Sequence, residues 1–275
     1  MLVGADTFLI DLFHRRYSLN ERQLDYPFLR DTLRWSCKGD HIFLDGADHY
    51  QIDRGRFEQA VETMGSLLNN STIYDIGSFP GYGIWAFRNC RRYIGVGKCP
   101  DWFRSAIGSV GQLDWVDWEI ESSSVPLAPP DPPDLFILQE VLEHIRLPKR
   151  FLTNLRTIMP DGAHLYLTTN NLHYLGYILK MAAGREVFDS AMTEGAVYPG
   201  HTTYYTLDGL KAFLTEIGFQ IVKARRVNFL PPAQYYRRRF AAQLKNIMVK
   251  CTPNLYHTHL EVLCRKCDEN CLPKQ

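Results

Sequence analysis

Short apolar runs alternate with stretches of helical spacing along most of the chain. In DRGRFEQAVETMGSLLNN (53–70), Phe57, Val61, Met64 and Leu68 share one face of a predicted helix, which the asparagine pair ends. TIYDIG then predicts a strand and GIWAFRNC the helix after it. YIGV (93–96), LDWVDW, DLFILQ and HLYLTT predict four further strands. Helices are predicted over DWFRSAIGSV, from EVLEHI onward, and over FLTNLRTI. The unbroken run Leu135 to Leu138 suits a strand buried on both faces of a parallel sheet. TLDGLKAFLTEIGF has a capping Thr206, a stripe of Leu210, Phe213, Leu214 and Ile217, and a terminating Gly218. FQIVKARRV and THLEVLCRK are the last two predicted strands, and the absence of a required crossover helix permits antiparallel pairing.

This rhythm argues for an α/β fold: an open, doubly wound sheet of seven strands. Residues 1–54 form a helical N-terminal lead-in, in which Leu24, Phe28, Leu29 and Leu33 have helical spacing behind Pro27. Five prolines make SSSVPLAPPDPP a surface loop. Residues 171–205, with scattered Gly, His and Tyr, break the pattern and are expected to form a lid or insertion.

Composition narrows the class. Apolar residues make up 45% of 275, enough for a sizeable core. The net charge of +1 selects neither nucleic acid nor an anionic membrane. No apolar run approaches the ~20 residues that span a bilayer. Seven scattered cysteines favour reduced thiols and a cytoplasmic setting. The loose spacing of Cys251, Cys264, Cys267 and Cys271 argues against zinc, since Cys264 ends a strand-like run.

The candidate chemistry sits at strand ends, where ligands bind in open α/β sheets. Asp75, Gly77 and Gly81 make D-x-G-x-x-x-G between a strand and a helix. Gly77 allows a tight turn or close backbone approach, and Gly81 lets the helix start near its ligand. Glu140, Glu143 and His144 stand at i, i+3 and i+4, one face if the segment is helical. His144, His173 and His201 are general-base candidates, His144 first and His201 second. From Phe219 to Leu260 there are eight Lys or Arg and no Asp or Glu, centred on YYRRRF (235–240).

These segments resemble, in order and spacing, the class I S-adenosylmethionine-dependent methyltransferases. IYDIGSFPGYG resembles their first motif, YIGVGKCPDWFRSA the second strand and helix, and DLFILQEVLEHI the fourth-strand motif. LRTIMPDGAHLYLTTNN resembles the turn and fifth strand, and HTTYYTLDGLKAFLTEIGFQIV the helix and strand after the lid. The resemblance implies a methyltransferase domain over 55–275 that binds S-adenosylmethionine. It implies that Asp75, Gly77 and Gly81 hold the methionine part and that Gly97 faces the ribose. It places Asp117 and Trp118 near the adenine, and Gln139 and Glu140 beside the methyl-transfer cleft. The expected acceptor is the oxygen or nitrogen of a small molecule, with Trp35, Tyr174, Tyr204 and Tyr205 as candidate lining.

Two residues depart from the family pattern. Gly97 replaces the usual ribose-binding carboxylate, so Gly97→Asp is expected to tighten cofactor binding. Phe79 stands where many members have a glycine, and its ring must point away from the cofactor or cover it. Both keep open a non-catalytic relative of the same fold. A second alternative is an RNA 2′-O-methyltransferase, drawn from the basic stretch and from Glu140, Glu143, His144 and His201. That set resembles the metal ligands of the small-RNA 2′-O-methyltransferases, whereas the main reading expects no metal and no membrane partner.

Overall fold

The computed structural model describes residues 46–78, 83–87, 89–97, 113–118, 132–185, 201–229 and 253–267. Phe79, Gly81, Trp35, the helix predicted over 101–110 and the YYRRRF stretch lie outside these residues. Seven strands form one sheet: β1 Thr72–Ile76, β2 Arg92–Val96, β3 Leu113–Val116, β4 Leu135–Gln139, β5 His164–Asn170, β6 Phe219–Val227 and β7 His259–Lys266. Their order is β3-β2-β1-β4-β5-β7-β6. Neighbours from β3 to β5 are parallel, and β7 runs antiparallel to both β5 and β6. The last two strands therefore pair as a hairpin-like couple, with the C-terminal one inserted beside β5.

Alternation along each strand divides the core in two. Ile73, Leu135, Ile137, Tyr166 and Leu263 face α1 (Gly46–Met64) and α2 (Gly83–Ala86). Tyr74, Ile76, Phe136, Leu138, Leu165 and Leu167 face α3 (Pro148–Ile158) and α5 (Leu207–Ile217). α4 (Leu175–Ala182) and the short α6 (Pro253–Tyr256) complete the described helices. α1 buries the predicted stripe, with Phe57, Ala60 and Met64 almost inaccessible. Each large side chain so covered contributes about 1.5–3 kcal/mol. The helix runs through residue 54 without a break, so the end of the lead-in is continuous with the first core helix. α5 begins with the Gly209 N–H donating to Thr206 Oγ1 at 3.1 Å and ends at Gly218, φ 102°.

EVLEHI departs from its predicted form. Only Leu142–His144 turn, as a single 3₁₀ turn, and Glu140 has φ 55°. The i, i+3, i+4 face does not form, because Glu140 lies outside the turn in a left-handed conformation rare for non-glycine residues.

Two carboxylates are buried on the α1 side of the sheet. Glu261 of β7 accepts from Thr63 Oγ1 (3.0 Å), Tyr166 O–H (2.8 Å) and Arg225 Nε (2.5 Å). Arg225 also donates to Thr63 Oγ1 and pairs with Glu62. This network ties α1 to β5, β6 and β7. Asp75 of β1 accepts from the Tyr93 hydroxyl of β2. Burial pushes its acid up to about 7, against the opposing influence of the Tyr93 hydrogen bond and Arg56.

Removing the acceptor of three donors strands them in the core, so Glu261→Ala is expected to cost about 3–5 kcal/mol in urea unfolding. An unchanged midpoint would show that the network does not hold α1. Asp75 has a raised folded pKa, so its contribution is full below about pH 4 and is lost as pH rises through about 7. Asp75→Asn should flatten the stability profile across that window; a profile parallel to that of the parent would contradict the burial argument.

Candidate functional site

The winding of the sheet reverses at β1, with β2 and β3 on one side and β4 and β5 on the other. Chain leaving β1 and β4 therefore diverges and opens a crevice at the strand tips. Gly77, after β1, has φ 73°, and its N–H donates to Val96 O at 2.8 Å. A Cβ at Gly77 would lie 2.6 Å from Val141 Cγ2, so the β1 tip and the loop after β4 touch only because the side chain is missing. Gly97, after β2, donates to Val116 O at 3.1 Å and accepts from Trp118 N–H (3.3 Å) and Trp115 Nε1 (2.9 Å). The ends of β1, β2 and β3 are thus laced together by backbone groups and the Trp115 indole.

This cradle fits a polar cofactor. A Cβ at Gly97 would have Gly77 N as its nearest neighbour, 3.9 Å away, so backbone here is open to close approach. Ser78 Oγ, Gln139 Nε2 and Glu140 Oε1 are buried without a well-formed hydrogen bond, although Tyr93, Tyr166 and Thr168 lie beside them. Buried polar atoms of this kind call for partners.

Several predicted positions turn out differently placed. The Asp75 carboxylate faces Tyr93 and the α1 layer, packing under Gly83, so it braces the loop from beneath. Trp118 reaches the β3 tip, but its indole stacks on Phe151 of α3 at 5.8 Å within the core. Asp117 beside it is exposed. Gly97 has φ 152°, a backbone that L-residues rarely adopt. The expectation that Gly97→Asp tightens binding therefore changes: the strain of about 1–3 kcal/mol opposes any gained hydrogen bond.

A second group stands where β4 and β5 end. Glu143, fully buried, accepts from Thr169 Oγ1 (2.9 Å) and Asn170 Nδ2 (3.2 Å). Its carbonyl accepts from the N–H groups of Thr202 and Thr203, which brings residues 202–203 onto the turn. Burial first, then the nearby Glu140 charge, raise the Glu143 acid well above the usual range. One ligand-capable atom from each of Glu143, His144 and His201 lies within 4.8 Å of the others. The His144 and His201 rings meet edge-on at 4.7 Å. Tyr204 O–H is 3.1 Å from His201 Nδ1, and Tyr177 packs against both Tyr174 and Tyr204.

Glu140 leaves this group. It pairs with His259 Nε2 of β7 at 3.2 Å, and its N–H donates to Thr168 O. Burial alone would raise its acid, but His259, Arg56 and Thr168 outweigh that and hold it at about 2. His173 is exposed, and Tyr205 is buried against Phe213. Sequence reasoning did not single out Asn170, Tyr177, Val141 or His259; the polar ending TTNN of an otherwise apolar strand was the available signal for Asn170. Of the basic stretch, Arg225 is taken up by Glu261, Thr63 and Glu62, and Lys223 donates to Thr63. Cys264 is buried, with its thiol on Leu165 O, while Cys251 and Cys271 lie outside the described residues.

No helix among the described residues is long and apolar enough to cross a membrane. No curated protein sequence matches the chain. Solved structures do. A chain of the complex between the Haloferax volcanii Trm112 methyltransferase activator and a methyltransferase superposes with a TM-score of 0.53 at 15% identity, covering 86% of this chain and 98% of that one. An S-adenosylmethionine-dependent methyltransferase from Mesorhizobium loti gives 0.52 at 15% identity, covering 76% and 96%. At these identities the likeness speaks for the fold. The methyltransferase-domain family matches residues 56–224, more than half of the chain and the span that carries the cradle from Gly77 to Val141. The chain belongs to the S-adenosylmethionine-dependent methyltransferases.

Proposed function

We propose that the protein transfers a methyl group from S-adenosylmethionine to an oxygen or nitrogen of a small molecule held against His144, His201 and the tyrosines of the 171–205 segment. The carrying observation is the adjacency of two groups. Val141 packs on the cofactor cradle at Gly77, and two residues later the chain delivers Glu143 and His144 to His201.

Gly77, Ser78, Gly97, Gln139 and Glu140 would hold the cofactor. When bound, it supplies a methyl carbon activated by a sulfonium, which an acceptor lone pair displaces as sulfur keeps the carbon–sulfur electron pair. The chain's own residues do the rest. Tyr174, Tyr177 and Tyr204 make an aromatic wall that orients the acceptor and excludes water. His144 takes the acceptor's proton at a ring nitrogen, a role worth about 10²–10⁴-fold where the proton must leave.

A second reading has one observation in its favour: Glu143, His144 and His201 have the grouping of a divalent-ion site. Against it, both Glu143 oxygens already accept hydrogen bonds, and burial favours the uncharged acid. The engagement of Arg225 by Glu261, Glu62 and Thr63, and of Lys223 by Thr63, likewise supports a small-molecule acceptor over RNA.

Calorimetry with S-adenosylmethionine and S-adenosylhomocysteine should give saturable heat with both; silence from folded protein would favour the non-catalytic alternative. Gly77→Ala, which drives a methyl into Val141 and strains a positive φ, should weaken cofactor binding about tenfold or more. In a panel of hydroxyl and amino acceptors scored by S-adenosylhomocysteine release, His144→Ala should lose about a hundredfold in kcat with cofactor affinity unchanged. Activity that disappears with chelator and returns with Mg²⁺ or Mn²⁺ would establish the ion-site reading instead.

A further inference from the structure

α4 is an apolar helix that the core does not use. Lys180 is its one charged residue, and it is more apolar on average than α1, α3 or α5. Leu175, Ile178, Leu179 and Ala182 recur at i, i+3, i+4 and i+7, which puts them on one face. No residue of α4 is buried, however, and none belongs to or packs on either described hydrophobic cluster. Tyr177, on the opposite side, faces inward: its O–H donates to Asn170 Oδ1 at 3.0 Å, and its ring meets Tyr204 at 5.1 Å. Leu179 is left 58% exposed and Met181 44%. Five large hydrophobics are exposed among the described residues, and three of them, Leu147, Leu179 and Met181, lie on the segments that leave the tips of β4 and β5. The charge beside them on α4 has one sign. Lys180 and Arg185 are exposed, and no Asp or Glu occurs between Asp161 and Glu186. Gly184 turns with φ 65°, and the Arg185 N–H donates to Lys180 O at 2.9 Å, so both cations are kept at the same end of the helix.

We propose that α4 docks on the surface of an anionic lipid bilayer, with Leu175, Ile178, Leu179 and Ala182 at the acyl boundary and Lys180 and Arg185 among the headgroup phosphates. An apolar stripe that the core leaves uncovered marks a contact surface. A second protein fits it poorly. Eight helical residues are about 12 Å long, and one face of that length falls far short of the about 800 Å² that each partner of a stable protein pair buries. A lipid surface requires no matching shape. It takes a short apolar face flanked by cations, whose apolar stems let the charged ends reach outward. Positive charge without acids complements anionic headgroups. This contact lies along the bilayer and does not span it, so it needs no long apolar helix. The expectation of no membrane partner rests on the missing spanning run and on the balanced net charge of the whole chain, whereas the charge on and beside α4 is locally positive. Because the inner side of α4 carries Tyr177, docking holds the tyrosine wall within about 10 Å, one helix diameter, of the bilayer.

The test is flotation of the full chain with lipid vesicles, in the absence of cofactor and acceptor, so its outcome is independent of the methyl-transfer reading. Vesicles of phosphatidylcholine and phosphatidylglycerol in equal parts should carry the protein up the gradient, and vesicles of phosphatidylcholine alone should not. Leu179→Glu should weaken the partition about tenfold or more. Lys180→Gln and Arg185→Gln should each weaken it about fivefold. Val222→Glu, at another exposed hydrophobic, on β6, should leave it unchanged. In Leu179→Trp, the anionic vesicles should move the added indole's emission to the blue, read as the difference from the parent chain. Failure to float with anionic vesicles, equal binding to the uncharged ones, or a loss no greater in Leu179→Glu than in Val222→Glu would overturn the proposal. So would flotation abolished by neutralising Arg237, Arg238 and Arg239 yet untouched by the α4 variants, which would move the contact to the basic stretch. A chain that does not float but doubles its mass with concentration, and stays monomeric as Leu179→Glu, would name a second copy as the occupant and refute the lipid surface.

Discussion

The absence of a side chain at Gly77 is the constraint on which the site depends. Val141 occupies the space its Cβ would need, and this lets the turn after β1 close on the loop after β4. With those tips in contact, the strand ends at the point of reversed winding are lined from two sides. One side is backbone, from Gly77 and Gly97. The other is the sequence 139–144, which passes from the cofactor cradle to the acid–histidine group within six residues. A larger residue at position 77 would separate the two halves whatever the chemistry of each.

Buried charge is distributed with a matching economy. Four carboxylates lose most of their solvent, and each is treated differently. Glu261 is surrounded by donors from three elements, α1, β5 and β6, and acts as a clamp between α1 and the C-terminal strands. Asp75 and Glu143 have fewer compensating donors, and burial shifts both toward the neutral acid. Glu140, next to His259, is held as an anion. The crevice therefore presents one dependable negative charge, beside the cradle, while the carboxyl group among the histidines is pressed toward its uncharged form. Placing the anion on the cradle side suits a cationic cofactor.

Much of this fold could be read from the chain because it depends on local pattern. The apolar run at 135–138, the alternation around Tyr74 and the Thr206-to-Gly218 capped helix all report burial or capping over a few residues. The site was legible to the level of which loops meet: positions 75–77, 97, 117–118 and 139–144 do converge. It was not legible where long-range contacts decide. Nothing near Glu140 announces that His259, 119 residues later in the chain, will claim it. The helical face drawn through Glu140, Glu143 and His144 failed because a left-handed residue and a single 3₁₀ turn replaced the helix. Trp118 does reach the β3 tip, and what its position did not announce is the stacking of its ring on Phe151 of α3.

The same distinction explains why Asn170 escaped notice. In sequence it is one of two asparagines closing a strand, a common way for a strand to end. Its significance arises from three partners, at positions 143, 177 and 201, that meet only when the turn after β4, helix α4 and residues 201–204 converge. Tyr177 is fixed in α4, whereas the turn after β4 and residues 201–204 are short and irregular. The Asn170 side chain joins the three through the two ends of its amide. One buried polar side chain at a strand end thus brings together segments that lie apart in the chain.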